Sequence, residues 1–261
     1  MDTNFKLIDY RLKDRIIYIT LNRPEKRNAL NSEMVSELQK AFGLANEYKE
    51  GKVIVLKANG KAFSAGADLA YLKALHENTY EENLADSNHL KKLFELIYFN
   101  PKVVIAQVEG HAIAGGCGLA SVCDYVFSVP EAKFGYTEVK IGFVPAIVMV
   151  FLLRKIGEAK AKDLLLSGRL IEAEEAQTLG LLNKIYAADE IGEACTKFAE
   201  KLTKETSGYS LSLTKEMIAR IPNLQVNEAL DYAATCNAKA RASEDCQKGI
   251  GAFLNKEKIT W

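Results

Sequence analysis

The chain lacks several of the features that mark particular protein classes. It has five prolines and one tryptophan in 261 residues, and no Pro-rich or Ser/Gly-rich stretch divides it. No flexible linker is therefore expected. It lacks a charge of either sign: 34 basic side chains balance 34 acidic ones. That removes the electrostatic reason to expect nucleic acid as a partner, though it leaves room for a local basic patch that holds a small anion. Long apolar runs are missing too. The longest, Ile141 to Leu153, spans 13 residues and contains Gly142 and Pro145, whereas a bilayer needs about 20. The segment Met1-Asp-Thr-Asn-Phe-Lys6 has no basic region leading into an apolar one, so no signal peptide is expected. Cys117, Cys123, Cys195, Cys236 and Cys246 are odd in number and include no C-x-x-C pair, which fits reduced thiols and a cytoplasmic location. His76, His89 and His111 have no metal-ligand spacing to each other or to cysteine, so no metal site is expected. No P-loop and no G-x-S-x-G elbow occur.

What is present is an ordinary globular composition, 48 % hydrophobic and 26 % charged, long enough to bury about three quarters of its unfolded surface. β-branched runs predict strands at 15–21, 52–57, 102–108 and 124–129. Between them the 3.6-residue spacing of Met34, Leu38, Phe42 and Ala45, capped from Asn31 or Ser32, predicts a helix, and 83–98 predicts another. After Pro145 strand signals nearly stop, and helices are expected at 146–156, 159–166, 172–179, 191–204, 210–221 and 227–242. Gly168 and Gly180 stand where C-terminal glycines belong. The expectation is an α/β core over residues 1–200 followed by a helical region over 201–261, packed on the core or on a neighbouring subunit.

Three segments could carry chemistry. Lys61-Ala-Phe-Ser-Ala-Gly-Ala-Asp-Leu69 follows a strand, and its small residues leave backbone N–H groups accessible, with Asp68 placed to cap a helix from Leu69. Glu109-Gly-His-Ala-Ile-Ala-Gly-Gly-Cys-Gly-Leu119 brings glycines to a helix start, where unpaired N–H groups suit an oxyanion. Within it Gly116-Cys-Gly118-Leu-Ala-Ser121 approximates a dinucleotide fingerprint, but Ser121 replaces the third glycine and the next strand begins too soon for a crossover helix. The third segment holds Glu138 beside the longest apolar run, where burial would raise its pKa into the range of a useful proton carrier.

Together these segments resemble the crotonase superfamily, the enoyl-CoA hydratase/isomerase family. The resemblance runs in order through Leu21-Asn-Arg-Pro-Glu-Lys-Arg-Asn-Ala-Leu30, Ala62-Phe-Ser-Ala-Gly-Ala-Asp68, Gly110-His-Ala-Ile-Ala-Gly-Gly-Cys117, Cys123-Asp124 and Phe134-Gly-Tyr-Thr-Glu138. Leu166-Ser-Gly-Arg169, Ala173-Glu-Glu-Ala176 and Gly180-Leu-Leu-Asn183 continue it. It implies a crotonase-like spiral of β-β-α units with a C-terminal helical region, assembled as a homotrimer or homohexamer. It also implies an acyl-CoA thioester as substrate, with no separate cofactor. By motif position the thioester oxygen would rest on the N–H groups of Ala67 and Gly115, and Glu138 would move protons. Coenzyme A would be held around Ala65, Ala67, Asp68 and Leu69, with Lys26 and Lys61 near its phosphates and Phe253 and Lys256 as candidates from a neighbouring chain.

One departure bears on the reaction. Hydratases similar to this chain carry two glutamates, and the first would stand at Gly118. The segment after Pro145, Ala-Ile-Val-Met149, is also bulkier than the glycine-rich stretch common there. Loss of one acid–base group slows water addition by about 10²–10⁴-fold, whereas shifting a double bond needs no water and one carboxylate suffices. Isomerisation is the leading expectation. The alternatives are a hydratase, including one for a branched enoyl-CoA such as methylglutaconyl-CoA, with Tyr71, Tyr136 or Glu109 as replacement acid, and a non-catalytic acyl-CoA-binding protein.

Overall fold

The computed structural model describes residues 4–75 and 77–261; His76 lies outside them. The chain opens with a hairpin of β1 (Ile8–Lys13) and β2 (Ile16–Leu21), then a 3₁₀ turn at Pro24–Lys26 and helix α1 (Ser32–Glu47). The side chain of Asn31 accepts from the Met34 N–H at 2.8 Å, so this cap begins α1 as its sequence requires.

A unit of two strands and a helix then recurs. Strand β3 (Val53–Ala58) leads to β4 (Ala62–Ser64), α2 (Leu69–Leu75) and α3 (Tyr80–Tyr98); β5 (Val103–Val108) leads to β6 (His111–Ile113) and α4 (Gly115–Ser121). A third unit runs β7 (Tyr125–Ser128), β8 (Lys133–Gly135), a 3₁₀ turn at Glu138–Ile141 and α5 (Ala146–Ile156). The first strand of each unit joins one sheet and the second joins another. With β9 (Ile171–Glu172) and β10 (Lys184–Ile185), the orders are β1-β2-β3-β5-β7-β10 and β4-β6-β8-β9. This is the spiral α/β architecture expected from the sequence. Strand β5 is buried along its whole length and β3 over Val53–Leu56, which is why both read as unbroken apolar runs and not as alternation.

The helical remainder comprises α6 (Glu158–Ser167), α7 (Ala173–Leu179), α8 (Ile191–Glu205), α9 (Gly208–Arg220), α10 (Val226–Ala242) and α11 (Glu244–Leu254). Residue 200 falls within α8, and α9 to α11 follow it. Helix α9 is tied to the core by Lys215, whose ammonium meets Asp124 at 2.6 Å, while the same carboxylate accepts the Val104 N–H at 2.7 Å. Among the described residues no helix is long and apolar enough to cross a membrane.

Candidate active site

Strands β4, β6 and β8 are parallel neighbours, with Ser64 beside Ala112 and Ala112 beside Phe134. Ala67, Gly115 and Glu138 therefore follow the C-terminal ends of three adjacent strands, three, two and three residues past Ser64, Ile113 and Gly135. The carboxyl edge of parallel strands is where loops from separate units converge on a ligand. All three proposed catalytic groups share that edge.

The backbone settles where two N–H groups point. The carbonyl of Gly66 accepts from Leu30 N–H at 2.7 Å, and Asp68 N–H donates to Leu30 at 2.9 Å. In a trans peptide C=O and N–H are antiparallel, so the Ala67 N–H is turned away from Leu30 and has no hydrogen-bond partner among the described residues. The Ala114 carbonyl accepts from Gly118 N–H at 3.0 Å, which aims the Gly115 N–H of the same peptide unit out of the start of α4. Ala114 itself has φ 51° and ψ −126°, a backbone state rare for a residue with a side chain and one stored mainly where function demands it. It is held there by its own N–H, which donates to Gly135 at 2.7 Å.

Gly66 joins the two loops. Its φ is +86°, and a methyl group there would stand 2.9 Å from Ala114 Cβ, 3.0 Å from the Ile113 carbonyl and 3.5 Å from Gly115 N. Gly66→Ala is therefore expected to destabilise the protein by about 1–3 kcal/mol. It should also lower kcat/KM by about tenfold or more, because the donors move. Thermal denaturation and steady-state kinetics check both; an unchanged kcat/KM would mean that the loops do not position the donors.

Glu138 opens its 3₁₀ turn at only 9 % exposure, and its Oε2 is buried without a hydrogen-bond partner. Burial pushes its pKa above the ordinary glutamate value. A carboxylate placed this way is a poor structural element and a competent base.

Gly118 occupies the second turn of α4. A Cβ built there would lie 2.1 Å from Val148 Cγ1, 2.8 Å from Val148 Cβ and 3.3 Å from a Phe94 ring carbon. The space that a side chain at 118 would enter is thus filled by α5, from the bulky segment after Pro145, and by α3. The near-fingerprint Gly116 to Ser121 lies inside α4, and a methyl at Gly116 would come within 2.4 Å of the Ser64 carbonyl. These glycines serve close packing and do not cradle a dinucleotide.

The candidate replacement acids do not fill the gap. Tyr136 is fully buried with its hydroxyl 3.0 Å from that of Ser121, and burial raises its pKa well above normal. The Tyr71 hydroxyl donates to Asp86, and burial raises its pKa as well. Glu109 is exposed, accepts from Gln107 at 2.5 Å and precedes β6, at the opposite end from the catalytic edge. Burial lifts the Cys117 thiol to about 12, so it is no nucleophile. His111 Nδ1 accepts the Lys133 N–H at 3.1 Å, a structural tie between β6 and β8.

The residues expected to hold coenzyme A divide into two groups. Ala65 N–H donates to Arg27 at 3.0 Å, which sets the turn carrying Lys26 beside the Ala65–Asp68 loop. Asn28 reaches the carbonyls of Asn59 and Ala62, both at 2.8 Å, and so brings Lys61 to the same turn. Both lysines are exposed. Leu69 begins α2, but its side chain lies outside what the structure describes. Asp68 is committed elsewhere: it caps α2 through the N–H groups of Ala70 and Tyr71 at 2.8 and 3.3 Å and pairs with Arg23 at 2.6 Å. Burial alone would raise its pKa, but the Arg23 hydrogen bond and these N–H groups outweigh burial and hold it below normal. Its N–H donates to Leu30 at 2.9 Å and its carbonyl accepts from Leu72 at 2.9 Å, so its backbone is committed as well. Phe253 and Lys256 are not brought to the site within one chain. Phe253 lies in the last turn of α11 and Lys256 two residues past its end, and Lys248 of that helix sits over the ring of Trp261, whose main chain bonds to Arg15 and to the carbonyl of Lys204 at the amino end of the strands.

Sequence reading missed Val148 as the occupant of the space at 118, Ala114 as a strained residue and Arg23 as the partner of Asp68. Of these only Arg23 carried a signal, within the Asn-Arg-Pro motif.

Comparison with known proteins identifies the family and the fold. A family model described as enoyl-CoA hydratase/isomerase matches residues 11–261. A Thermus thermophilus protein with a provisional enoyl-CoA hydratase name is 45 % identical over 94 % of this chain and 96 % of its own. The crotonyl-CoA hydratase of Syntrophomonas wolfei is 31 % identical over 95 % of both chains. The crystal structure of an enoyl-CoA hydratase from Shewanella pealeana superposes with a TM-score of 0.94 at 29 % identity, covering 100 % of this chain and 97 % of that one.

Proposed function

Because the chain belongs to the enoyl-CoA hydratase/isomerase family, we propose that it processes enoyl-CoA thioesters by moving a double bond, with Glu138 as the sole proton carrier. Glu138 takes a proton from C2 of a 3-enoyl thioester. The electron pair spreads onto the thioester oxygen, which rests on the Ala67 and Gly115 N–H groups; one such donor is worth about 3–4 kcal/mol. Glu138 then returns the proton to C4 and leaves the double bond between C2 and C3. Nothing is added or lost, and the reaction needs no resident cofactor or metal.

The observation that carries this reading is the filled space at Gly118. Water addition calls for a second acid–base group to hold and orient the water, and Val148 and Phe94 stand where its side chain would extend. The hydratase names of the relatives favour the alternative, water addition to a straight or branched enoyl-CoA. A role confined to acyl-CoA binding is disfavoured by the cost of keeping the Glu138 carboxylate buried with its Oε2 unpartnered among the described residues.

The test offers the purified protein a 3-enoyl-CoA and a 2-enoyl-CoA of equal length and identifies products by mass and NMR. Conversion of the 3-enoyl to the 2-enoyl thioester without mass gain is expected. Gain of one water by the 2-enoyl thioester at a comparable rate would establish the hydratase reading instead. If neither is turned over and acyl-CoA still binds, the binding-only reading prevails.

A homotrimer or homohexamer belongs to the same proposal. Val226, Leu230, Phe253 and Leu254 on the C-terminal helices and Ile141, Phe143 and Val144 before α5 are largely exposed. Two different apolar faces on one chain suit a closed head-to-tail ring better than a two-fold dimer. Light scattering is expected to give a trimer or hexamer mass, and a stable monomer would overturn this part. We place the enzyme in the cytoplasm, where its five unpaired cysteines remain reduced.

A further inference from the structure

The amino ends of the central strands carry a feature that the catalytic edge does not use. Strands β2, β3 and β5 are parallel and in register, with Ile16 beside Val53 and Val53 beside Val103. The residues that immediately precede those three are Arg15, Lys52 and Lys102. Three cations thus form a row across neighbouring strands, with about 4.8 Å between successive strands. They line a cavity of about 340 Å³, to which Lys49 and Lys248 add two more positive charges and Asp245 the only side-chain carboxylate among its lining residues.

None of the five cations forms an ion pair with a side-chain carboxylate among the described residues, and Arg15 donates to the main-chain oxygens of Glu50 and Trp261. Lys52 donates to the carbonyls of Thr203 and Thr206, both at 3.0 Å, and Lys102 to those of Tyr48 and Gly51 at 2.9 and 2.6 Å. Those carbonyls orient the ammonium groups but carry no net charge, and each ammonium keeps one N–H free. Asp245 is engaged by the Ser207 hydroxyl at 2.5 Å. Lys102 is only 8 % exposed. Burial, reinforced by the Arg15 charge, pulls Lys52 down to about 8, and burial also lowers Lys102. The Asp14-Arg15 turn of the β1–β2 hairpin adds strain, since both residues have positive φ, 51° and 65°. That conformation costs about 1–2 kcal/mol per residue with a side chain. A concentration of unpaired, partly desolvated positive charge is costly by itself and is relieved by a bound anion.

We propose that this cavity binds a small molecule bearing two or more phosphate groups, at a site separate from the thioester site. The row of cations matches a ligand whose charges lie several ångströms apart. The hydroxyls of Tyr209 and Ser212 at the start of α9 supply neutral donors beside it.

Trp261, the only tryptophan of the chain, lines the same cavity with Lys248 5.3 Å from its ring, so its fluorescence reports occupancy directly. Titration with sodium pyrophosphate is expected to give a saturable change at one equivalent per chain that sodium chloride of equal ionic strength does not reproduce. Lys49→Glu and Lys248→Glu, both at exposed positions, should weaken binding about tenfold or more. Lys26→Glu and Lys61→Glu, on the catalytic edge, should leave it unchanged. Far-UV circular dichroism confirms that each variant is folded. A change that chloride reproduces, or an affinity lowered by the catalytic-edge pair and not by Lys49→Glu or Lys248→Glu, overturns the proposal.

Discussion

Glu138→Gln is expected to lower turnover of a 3-enoyl-CoA by about 10²–10⁴-fold and yet to melt at a higher temperature than the parent at pH 8. Both effects have one cause, the buried and unpartnered Oε2. Burial raises the carboxyl pKa in the folded state above its unfolded value of about 4.3. The carboxyl group's contribution to stability is therefore fully present below that unfolded value and is lost as pH rises through the folded one. At pH 8 the folded protein holds a largely desolvated ionised group whose Oε2 has no partner among the described residues, which costs more than a buried amide. Melting temperatures of parent and variant across pH 4 to 8 should diverge in favour of the variant as pH rises. A difference that stays flat would mean that the carboxylate is not desolvated. The acid limb of kcat/KM should also lie above the range of an ordinary glutamate, since the ionised form is the base.

How much of this was legible in the sequence depended on whether the governing physics was local. Helix α1 could be placed from the Asn31 cap and its apolar period, and the buried strands from their β-branched runs. Strands β4, β6 and β8 have three residues each, too few for a period-2 pattern to register. Their pairing is set by packing between units that are distant along the chain. The C-terminal helix α11 was not anticipated, because its glycines, Gly249 and Gly251, weaken the helical signal. At the site, Ala67, Gly115 and Glu138 were placed by motif. The reason that Gly118 has no side chain lies 30 positions away, in Val148, and becomes visible only once α4 packs on α5. Lys52 and Lys102 stand at the starts of two of the expected strands, far apart in the sequence. Their alignment with Arg15 across β2, β3 and β5 exists only in the register of the sheet.

The same packing makes Gly118→Glu a poor route to a hydratase on its own. Its Cβ would stand 2.1 Å from Val148 Cγ1, and overpacking of a buried site costs about 1–3 kcal/mol. A carboxylate forced among Val148, Phe94 and Phe151, the last two with ring centroids 5.8 Å apart, adds a desolvation cost on top. The single variant is expected to lose several degrees of melting temperature and to gain no hydration activity. Val148→Gly removes both atoms nearest the built Cβ, at about 1 kcal/mol for glycine within a helix and about 1.5–3 kcal/mol more for the buried side chain that is lost. In the double variant the two costs should not add, and a coupling of about 0.5–3 kcal/mol is expected between residues that compete for one space. The new carboxylate then has room beside α4 to hold a water. Hydration of a 2-enoyl-CoA should rise about tenfold or more above the parent, while the proposed Glu138-dependent isomerisation is expected to persist. Strict additivity of the two stability changes would show that Val148 does not fill the space at 118. A parent already as fast in hydration as the double variant would move the missing acid elsewhere on the carboxyl edge of β4, β6 and β8.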